Sequence, residues 1–339
     1  MNRLRDQINI LRHLSFFRFR NLLVLRWSYL RSKWTKKNNH RGLPFSLSIE
    51  PTTACNLGCP ECPSGLKQFT RATGRLDLDL HSQMLDQLER SVFYINYYFQ
   101  GEPFLHPDFL ELIKEAKRRK IYTATSTNAH FIDEQKAKGI VESGLDRLII
   151  SVDGLTQETY KQYRVHGKLA KVIQGTEHLV AAKKELKSNT PHLIFQFLAV
   201  KANEHEIPKL NDFAKDLGVD EVRVKTAQFY NYENGNPLMP DNEAYARYKK
   251  GADGKYKLKY KTGDYCWRMW SSSVLTWDGK VVPCCFDKDA QHVLGEIDKE
   301  DFQSLWNGPV YNSFRTAILT GRNQIDICKN CSEGAKVWA

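Results

Sequence analysis

The chain has 339 residues, 41% hydrophobic and 26% charged, enough to bury one large α/β domain with a smaller appendage and too apolar for a disordered chain. No apolar run approaches the ~20 residues of a membrane span, and Arg12, Arg18, Arg20 and Arg26 break up the N-terminal apolar pieces before a signal-peptide core forms, so a cytoplasmic protein is expected. The net charge of +11 is uneven: residues 1–44 hold eleven Lys and Arg against one acid, Asp6, which leaves the remaining residues near neutrality.

That basic arm, residues 1–44, comes first. Phe16, Phe17, Phe19, Leu22, Leu23, Leu25, Trp27 and Leu30 are interspersed with its Arg residues. Three readings stand: a helix packed on the body with a charged outer face, a basic aromatic helix on an anionic membrane surface, or a contact for RNA or an acidic partner.

Between residues 45 and 228 strand-like and helix-like segments alternate. Strands are expected at Ser46–Glu50, Tyr94–Gln100, Ile121–Ser126, Arg147–Val152, Leu193–Val200 and Glu221–Thr226, all short and rich in β-branched or aromatic residues. Amphipathic helices are expected at His81–Arg90, Asp108–Lys120, Asp133–Ser143, Leu169–Lys187 and Glu204–Leu217. Such spacing leaves room for a crossover helix between strands, which implies parallel pairing. The expected fold is α/β: a partial (β/α)6 TIM-like barrel, with its chemistry at the C-terminal strand ends. Residues 229–264 are rich in Asn, Gly, Pro, Tyr and Lys and read as a linker. Residues 265–339 read as a small C-terminal α+β cluster-binding domain. It opens with a hairpin, Ser272–Trp277 and Lys280–Pro283 around Asp278-Gly279, followed by a helix over Asp301–Leu319 interrupted at Gly308-Pro309.

The eight cysteines are the strongest chemical signal. Cys55-x3-Cys59-x2-Cys62 directly follows the first strand. Thiolates suit iron–sulfur clusters, and three of them can hold three irons of a cubane while the fourth iron stays open to a small chelating ligand. Zinc is the alternative, but no His or Cys follows until His81. In the tail, Cys266-x17-Cys284 and Cys328-x2-Cys331 offer four ligands from three segments. Cys285 competes with Cys284, and the hairpin spacing favours Cys284. A four-thiolate zinc is again the alternative.

The first cysteine group, placed after strand one of a βα barrel, resembles the radical S-adenosylmethionine superfamily. Other segments agree in order: Gln100-Gly101-Glu102-Pro103 at the end of strand two is similar to that family's Gly-Glu-Pro motif, and Ser126-Thr127-Asn128 ends strand three. Ser151-Val152-Asp153-Gly154 ends strand four, with Tyr163-Arg164 beyond it. The resemblance implies that Cys55, Cys59 and Cys62 hold a [4Fe–4S] cluster. It also implies that Gly101, Glu102 and Pro103 receive the methionine end of S-adenosylmethionine, that Thr127 and Asn128 contact substrate or ribose, and that Ser151 and Arg164 hold the ribose or carboxylate. One departure is visible: the residue before the third cysteine is usually aromatic in the family, and here it is Glu61.

The tail resembles the Twitch domain, the shorter relative of SPASM, which implies one auxiliary [4Fe–4S] cluster on Cys266, Cys284, Cys328 and Cys331. The implied activity is reductive cleavage of S-adenosylmethionine to a 5′-deoxyadenosyl radical and hydrogen abstraction, in an oxidation or maturation of a sugar- or aminocyclitol-like molecule or a peptide. A flavodoxin- or ferredoxin-type protein would supply electrons. A nucleic-acid modifier using the arm and a non-catalytic zinc- or cluster-binding regulator are the other classes. The arm is too short for the winged-helix peptide-binding domain of many peptide-modifying relatives. No residue of the sequence is singled out as a catalytic acid or base.

Overall fold

The computed structural model describes residues 2–260 and 262–333. Met1 of the arm, Lys261 of the linker and residues 334–339 of the expected C-terminal domain lie outside the described residues. The arm forms α1 (Asn2–Arg12) and α2 (Phe16–Thr35). The central region runs β1 (Ser46–Ile49), α3 (Pro63–Leu66), α4 (Leu78–Leu88), β2 (Tyr94–Tyr97), α5 (Phe109–Arg118), β3 (Tyr122–Thr127), α6 (Glu134–Glu142) and β4 (Arg147–Ser151). It continues with α7 (Gln157–Tyr163), α8 (Leu169–Glu185), β5 (His192–Ala199), α9 (Leu210–Asp216) and β6 (Glu221–Thr226). A small hairpin, β7 (Tyr248–Lys250) and β8 (Tyr256–Leu258), follows. The tail holds α10 (Arg268–Ser271), β9 (Ser272–Leu275), β10 (Lys280–Val282), β11 (Gly295–Glu296), α11 (Phe302–Asn307), α12 (Pro309–Gly321) and α13 (Asp326–Lys329).

Strands β1 to β6 pair in sequence order, every pair parallel, as helical crossovers require. The sheet is a partial α/β barrel with helices on its outer side, and its apolar core runs from Leu47 and Ile49 through Ile95, Leu148, Ile150 and Phe195. Asp77, Asp133 and Thr156 cap α4, α6 and α7 with side-chain acceptors for first-turn amides.

The tail hairpin is joined to this sheet. Strand β9 pairs parallel with β1, Ser46 opposite Ser272 and Ile49 opposite Leu275, and β10 and β11 extend the sheet antiparallel. An open barrel leaves β1 with an unpaired edge, and the tail covers it. Periodicity did not reveal this partner, nor the short α7, nor the β7–β8 hairpin inside the segment read as a linker.

The arm is packed on the body. Asp6 of α1 is buried and accepts from Tyr122 and Arg147 at the starts of β3 and β4, so α1 lies at the end of the barrel away from the cysteine loop. Arg18 of α2 is buried and donates to the carbonyls of Glu89 at 2.7 Å, Lys120 at 2.6 Å and Arg119 at 3.2 Å, the exposed C-terminal ends of α4 and α5. Arg18→Leu should lower unfolding free energy by about 3 kcal/mol, since the carbonyls of Glu89, Arg119 and Lys120 lose their charged donor together. Urea denaturation of the variant checks this, and a change below roughly 0.5 kcal/mol would contradict it.

Candidate active site

The loop after β1 carries Cys55, Cys59 and Cys62, all free thiols. The three pack together beside Leu57, Tyr163, Val200 and Phe229. The loop folds on itself where the Cys62 amide donates to the Cys59 carbonyl at 3.2 Å, and Pro63 starts α3. Burial pushes the Cys55 thiol up to about 11 and raises Cys59, against which the Arg164 guanidinium works.

The end of β2 is tied to this loop. Gly101 has φ +74°, and a Cβ there would stand 2.2 Å from the Thr52 carbonyl oxygen and 2.9 Å from that of Ala54, so only glycine fits. Its amide donates to Ser64 Oγ at 2.9 Å, and the Glu102 amide donates to the Ala54 carbonyl at 2.7 Å. Pro103 begins the short 3-10 turn that follows. The Glu102 carboxylate is buried and bridges strand ends: it accepts from the Thr127 hydroxyl at 2.7 Å, the Asn128 amide at 2.8 Å and the Phe104 amide at 3.3 Å. Burial raises its pKa to about 6 while these donors hold it down. Asn128 reaches back to the cysteine loop, its Nδ2 donating to Asn56 Oδ1 at 2.8 Å.

Ser151, the last residue of β4, is buried, and beyond it Asp153 accepts from Arg164 Nε at 2.5 Å. Arg164 caps α7 and points Nη1 at Cys59 Sγ, 3.7 Å away. Gly101, Glu102, Pro103, Thr127, Asn128 and Arg164 therefore surround the cysteine loop, with Ser151 at the end of the neighbouring strand. The sequence offered no signal for Asn56 and Ser64, whose side chains do the tying. It flagged Glu61 only as a departure. Glu61 accepts from the Tyr230 amide at 3.0 Å and Asn236 Nδ2 at 3.1 Å, which fastens the cysteine loop to the segment after β6.

In the tail, Cys266, Cys284, Cys328 and Cys331 line a single pocket, together with Arg268 and Arg322. Cys285 packs instead with Phe99, Val274 and Val282. Burial pushes Cys266 up to about 12 and Cys328 up to about 11. Arg322 is buried, donates from Nη2 to Cys331 Sγ at 3.2 Å, and keeps an Nε with no hydrogen-bond partner. A buried cation with a spare donor among four thiols fits an anionic cluster held by those thiols, as Arg164 beside Cys59 fits one at the first group. Among the described residues no three His, Cys, Asp or Glu side chains are grouped to hold a metal ion. The four tail thiols surround a pocket, which is what a multi-atom cluster needs.

A strap joins the two groups. Thr70 donates its amide to Asp289 at 2.9 Å, and Trp277 Nε1 donates to the Ala72 carbonyl at 3.3 Å. Arg71 pairs with Glu50 at the end of β1.

Comparison with known proteins accords with this geometry. Residues 49–197 match the Radical SAM superfamily, and residues 266–332 match SPASM, an iron–sulfur cluster-binding domain. A tungsten-containing aldehyde ferredoxin oxidoreductase cofactor-modifying protein of Pyrococcus furiosus is 26% identical over 84% of this chain and 86% of its own. PqqA peptide cyclase of Gluconobacter oxydans is 25% identical over 87% of this chain and 84% of its own. The crystal structure of Streptococcus suis SuiB bound to S-adenosylmethionine superposes with a TM-score of 0.61 at 15% identity, over 92% of this chain and 76% of that one. The chain thus carries a domain of the Radical SAM superfamily followed by a SPASM domain. It is a radical enzyme with a SPASM-type tail, and its cofactors are S-adenosylmethionine, a [4Fe–4S] cluster in the barrel and auxiliary iron–sulfur in the tail.

Glu102→Gln puts an amide NH2 where three donors converge, so S-adenosylmethionine affinity at pH 7 should fall about tenfold with iron content unchanged. In the wild type the carboxylate is the accepting form, and it is protonated as pH falls through about 6. Wild-type affinity should therefore drop below that pH toward the variant's, while the variant stays flat. Equilibrium binding across pH checks this, and parallel profiles would contradict it.

Proposed function

We propose that this chain carries out an oxidative modification of a peptide, with one auxiliary [4Fe–4S] cluster as local electron acceptor. The carrying observation is the single pocket lined by four tail thiols and a buried Arg322, on a hairpin hydrogen-bonded to the strand that precedes the first cysteine group. The peptide as substrate class is supported by the similarity to PqqA peptide cyclase over most of both chains.

In this reading Cys55, Cys59 and Cys62 hold the barrel cluster, and Cys266, Cys284, Cys328 and Cys331 hold the auxiliary one. Held there, the first cluster would supply the electron for reductive cleavage of S-adenosylmethionine, and the second would supply an acceptor for the electron that a net oxidation must lose. The chain's own residues bind, orient and seal. The Gly101-Glu102-Pro103 turn presents backbone groups to the methionine amine. Arg164, fixed by Asp153, offers its fork to a carboxylate. Ser151, Thr127 and Asn128 stand at the neighbouring strand ends for ribose or substrate. Leu57, Tyr163 and Phe229 exclude water around the thiols. A cluster held by all four of Cys266, Cys284, Cys328 and Cys331 would supply electron transfer and not a substrate-binding position. Residues 1–44, 45–228, 229–264 and 265–339 serve as arm, barrel, linker and auxiliary domain. A flavodoxin- or ferredoxin-type reductant completes the system.

A second reading, oxidation of a sugar- or aminocyclitol-like alcohol, is favoured by the tail's restriction to one four-thiol pocket.

The test uses anaerobically reconstituted protein. About eight irons per chain are expected, and slow formation of 5′-deoxyadenosine on reduction with dithionite. Ser at Cys55, Cys59 and Cys62 should remove about four irons and abolish that product. Ser at Cys266, Cys328 and Cys331 should remove about four irons and leave it. Cys284→Ala should behave as the second set and Cys285→Ala as wild type. Full iron content in the tail variant would remove the auxiliary site, and zinc in place of iron would remove the reading altogether.

A further inference from the structure

The arm's outer surface is unexplained by the chemistry of the barrel. Along α2, Phe16, Phe19, Leu23, Trp27, Leu30 and Trp34 succeed one another at steps of three and four residues, so they form one stripe. The stripe lies directly opposite the buried face made by Arg18, Leu25, Ser28, Tyr29 and Ser32. It faces water: Phe16 is 82% exposed, Trp27 56% and Trp34 87%. At 1.5 Å per residue it is about 27 Å long, on one straight helix. The helical repeat sets Arg20 and Arg31 along one border and Arg26 and Lys33 along the other, all exposed. Helix α1 repeats the arrangement, with Leu4, Ile8 and Leu11 exposed opposite buried Asp6.

This is not the charged outer face expected of a helix that has only to pack on a barrel. A scattered exposed leucine needs no account, but a continuous aromatic stripe of this length does. The sign of the charge narrows what could cover it. The sole acid of residues 1–44, Asp6, is buried against Arg147 and Tyr122, so the arm's surface presents cations and no carboxylate. A second copy of the same face would bring two rows of Arg together without a counter-charge. A nucleic acid would pair with the arginines and could stack bases on the aromatics, but it would leave Leu23 and Leu30, with Leu4, Ile8 and Leu11 of α1, in water. An anionic bilayer surface meets both needs: acyl chains take the apolar stripe, the headgroup boundary suits Trp, and lipid phosphates pair with the flanking Arg. Among the described residues no helix is long and apolar enough to cross a membrane, so the arm would lie on the surface and not span it.

We propose that the exposed face of α2, extended by α1, docks this protein on an anionic lipid surface. The opposite face of α2 is fixed to the body by Arg18 and by Tyr29, which packs on Trp267 and Trp270, so docking needs no unfolding of the arm. The proposal is independent of substrate class.

Reconstituted full-length protein should be sedimented with vesicles of phosphatidylcholine alone and of phosphatidylcholine mixed with phosphatidylglycerol in equal parts. Binding to the mixed vesicles should be at least about tenfold tighter and should weaken with salt. Phe16→Ser, Trp27→Ser and Trp34→Ser together should reduce it at least about tenfold at unchanged iron content, because these side chains touch solvent and not the core. Arg20→Gln with Arg31→Gln should weaken binding to the mixed vesicles while leaving the apolar stripe in place. Three results would overturn the proposal. One is equal binding to both vesicle types, and another is undiminished binding by the Ser variant or by the Gln variant. The third is light scattering that shows a wild-type dimer converted to monomer by the Ser substitutions, which would make a second copy the occupant.

Discussion

Glu50 stands at the end of β1 with no exposed surface, and its two oxygens accept from Arg71 at 2.6 and 2.8 Å. A carboxylate in such a place is costly unless paired, and burial does raise its pKa against the pull of Arg71. The geometry of the molecule hangs on this pair. Glu50 precedes the first cysteine loop by five residues, and its Oε2 also takes the Trp277 amide at 3.4 Å. Arg71 follows the loop and donates from Nε to the Lys288 carbonyl at 3.3 Å. One buried ion pair thus fixes the exit of β1, the return of the cysteine loop and the tail hairpin in a common frame. The pairing of β1 with β9 does the same through the backbone.

From that frame the division of labour follows. The first thiol group is held between strand ends and stitched to the next two strands by Ser64, Glu102 and Asn128. The second encloses a pocket of its own with a buried arginine. One frame therefore carries both thiol groups, and both are placed by β1. In the proposed reading this arrangement would suit a reaction that begins with a radical and ends with loss of an electron, since the two thiol groups are fixed relative to each other.

Much of this was legible in the sequence because its signals are local. Cysteine spacing, the Gly-Glu-Pro turn, β-branched runs and 3.6-residue periodicity each depend on residues a few positions apart. The preference for Cys284 over Cys285 also came from local hairpin spacing; Cys284 lines the tail pocket, and Cys285 packs with Phe99, Val274 and Val282. What was illegible is long-range. Nothing near Ser272 says that its partner is Ser46, and nothing near Glu61 says that Tyr230 and Asn236 will meet it. The arm was legible as basic and aromatic, but which aromatics face outward depends on where Arg18 and Tyr29 dock. Only the folded chain shows an apolar stripe on the solvent side.

In the proposed reading one cysteine group would leave an iron open to S-adenosylmethionine while the other would close its cluster completely. Electron paramagnetic resonance of the dithionite-reduced protein, with and without S-adenosylmethionine, tests it directly. Two [4Fe–4S] signals are expected, of which only one shifts on adding the cofactor. The shifting signal should be the one lost with Ser at Cys55, Cys59 and Cys62. A single signal, or a shift that disappears with the tail cysteines instead, would contradict it.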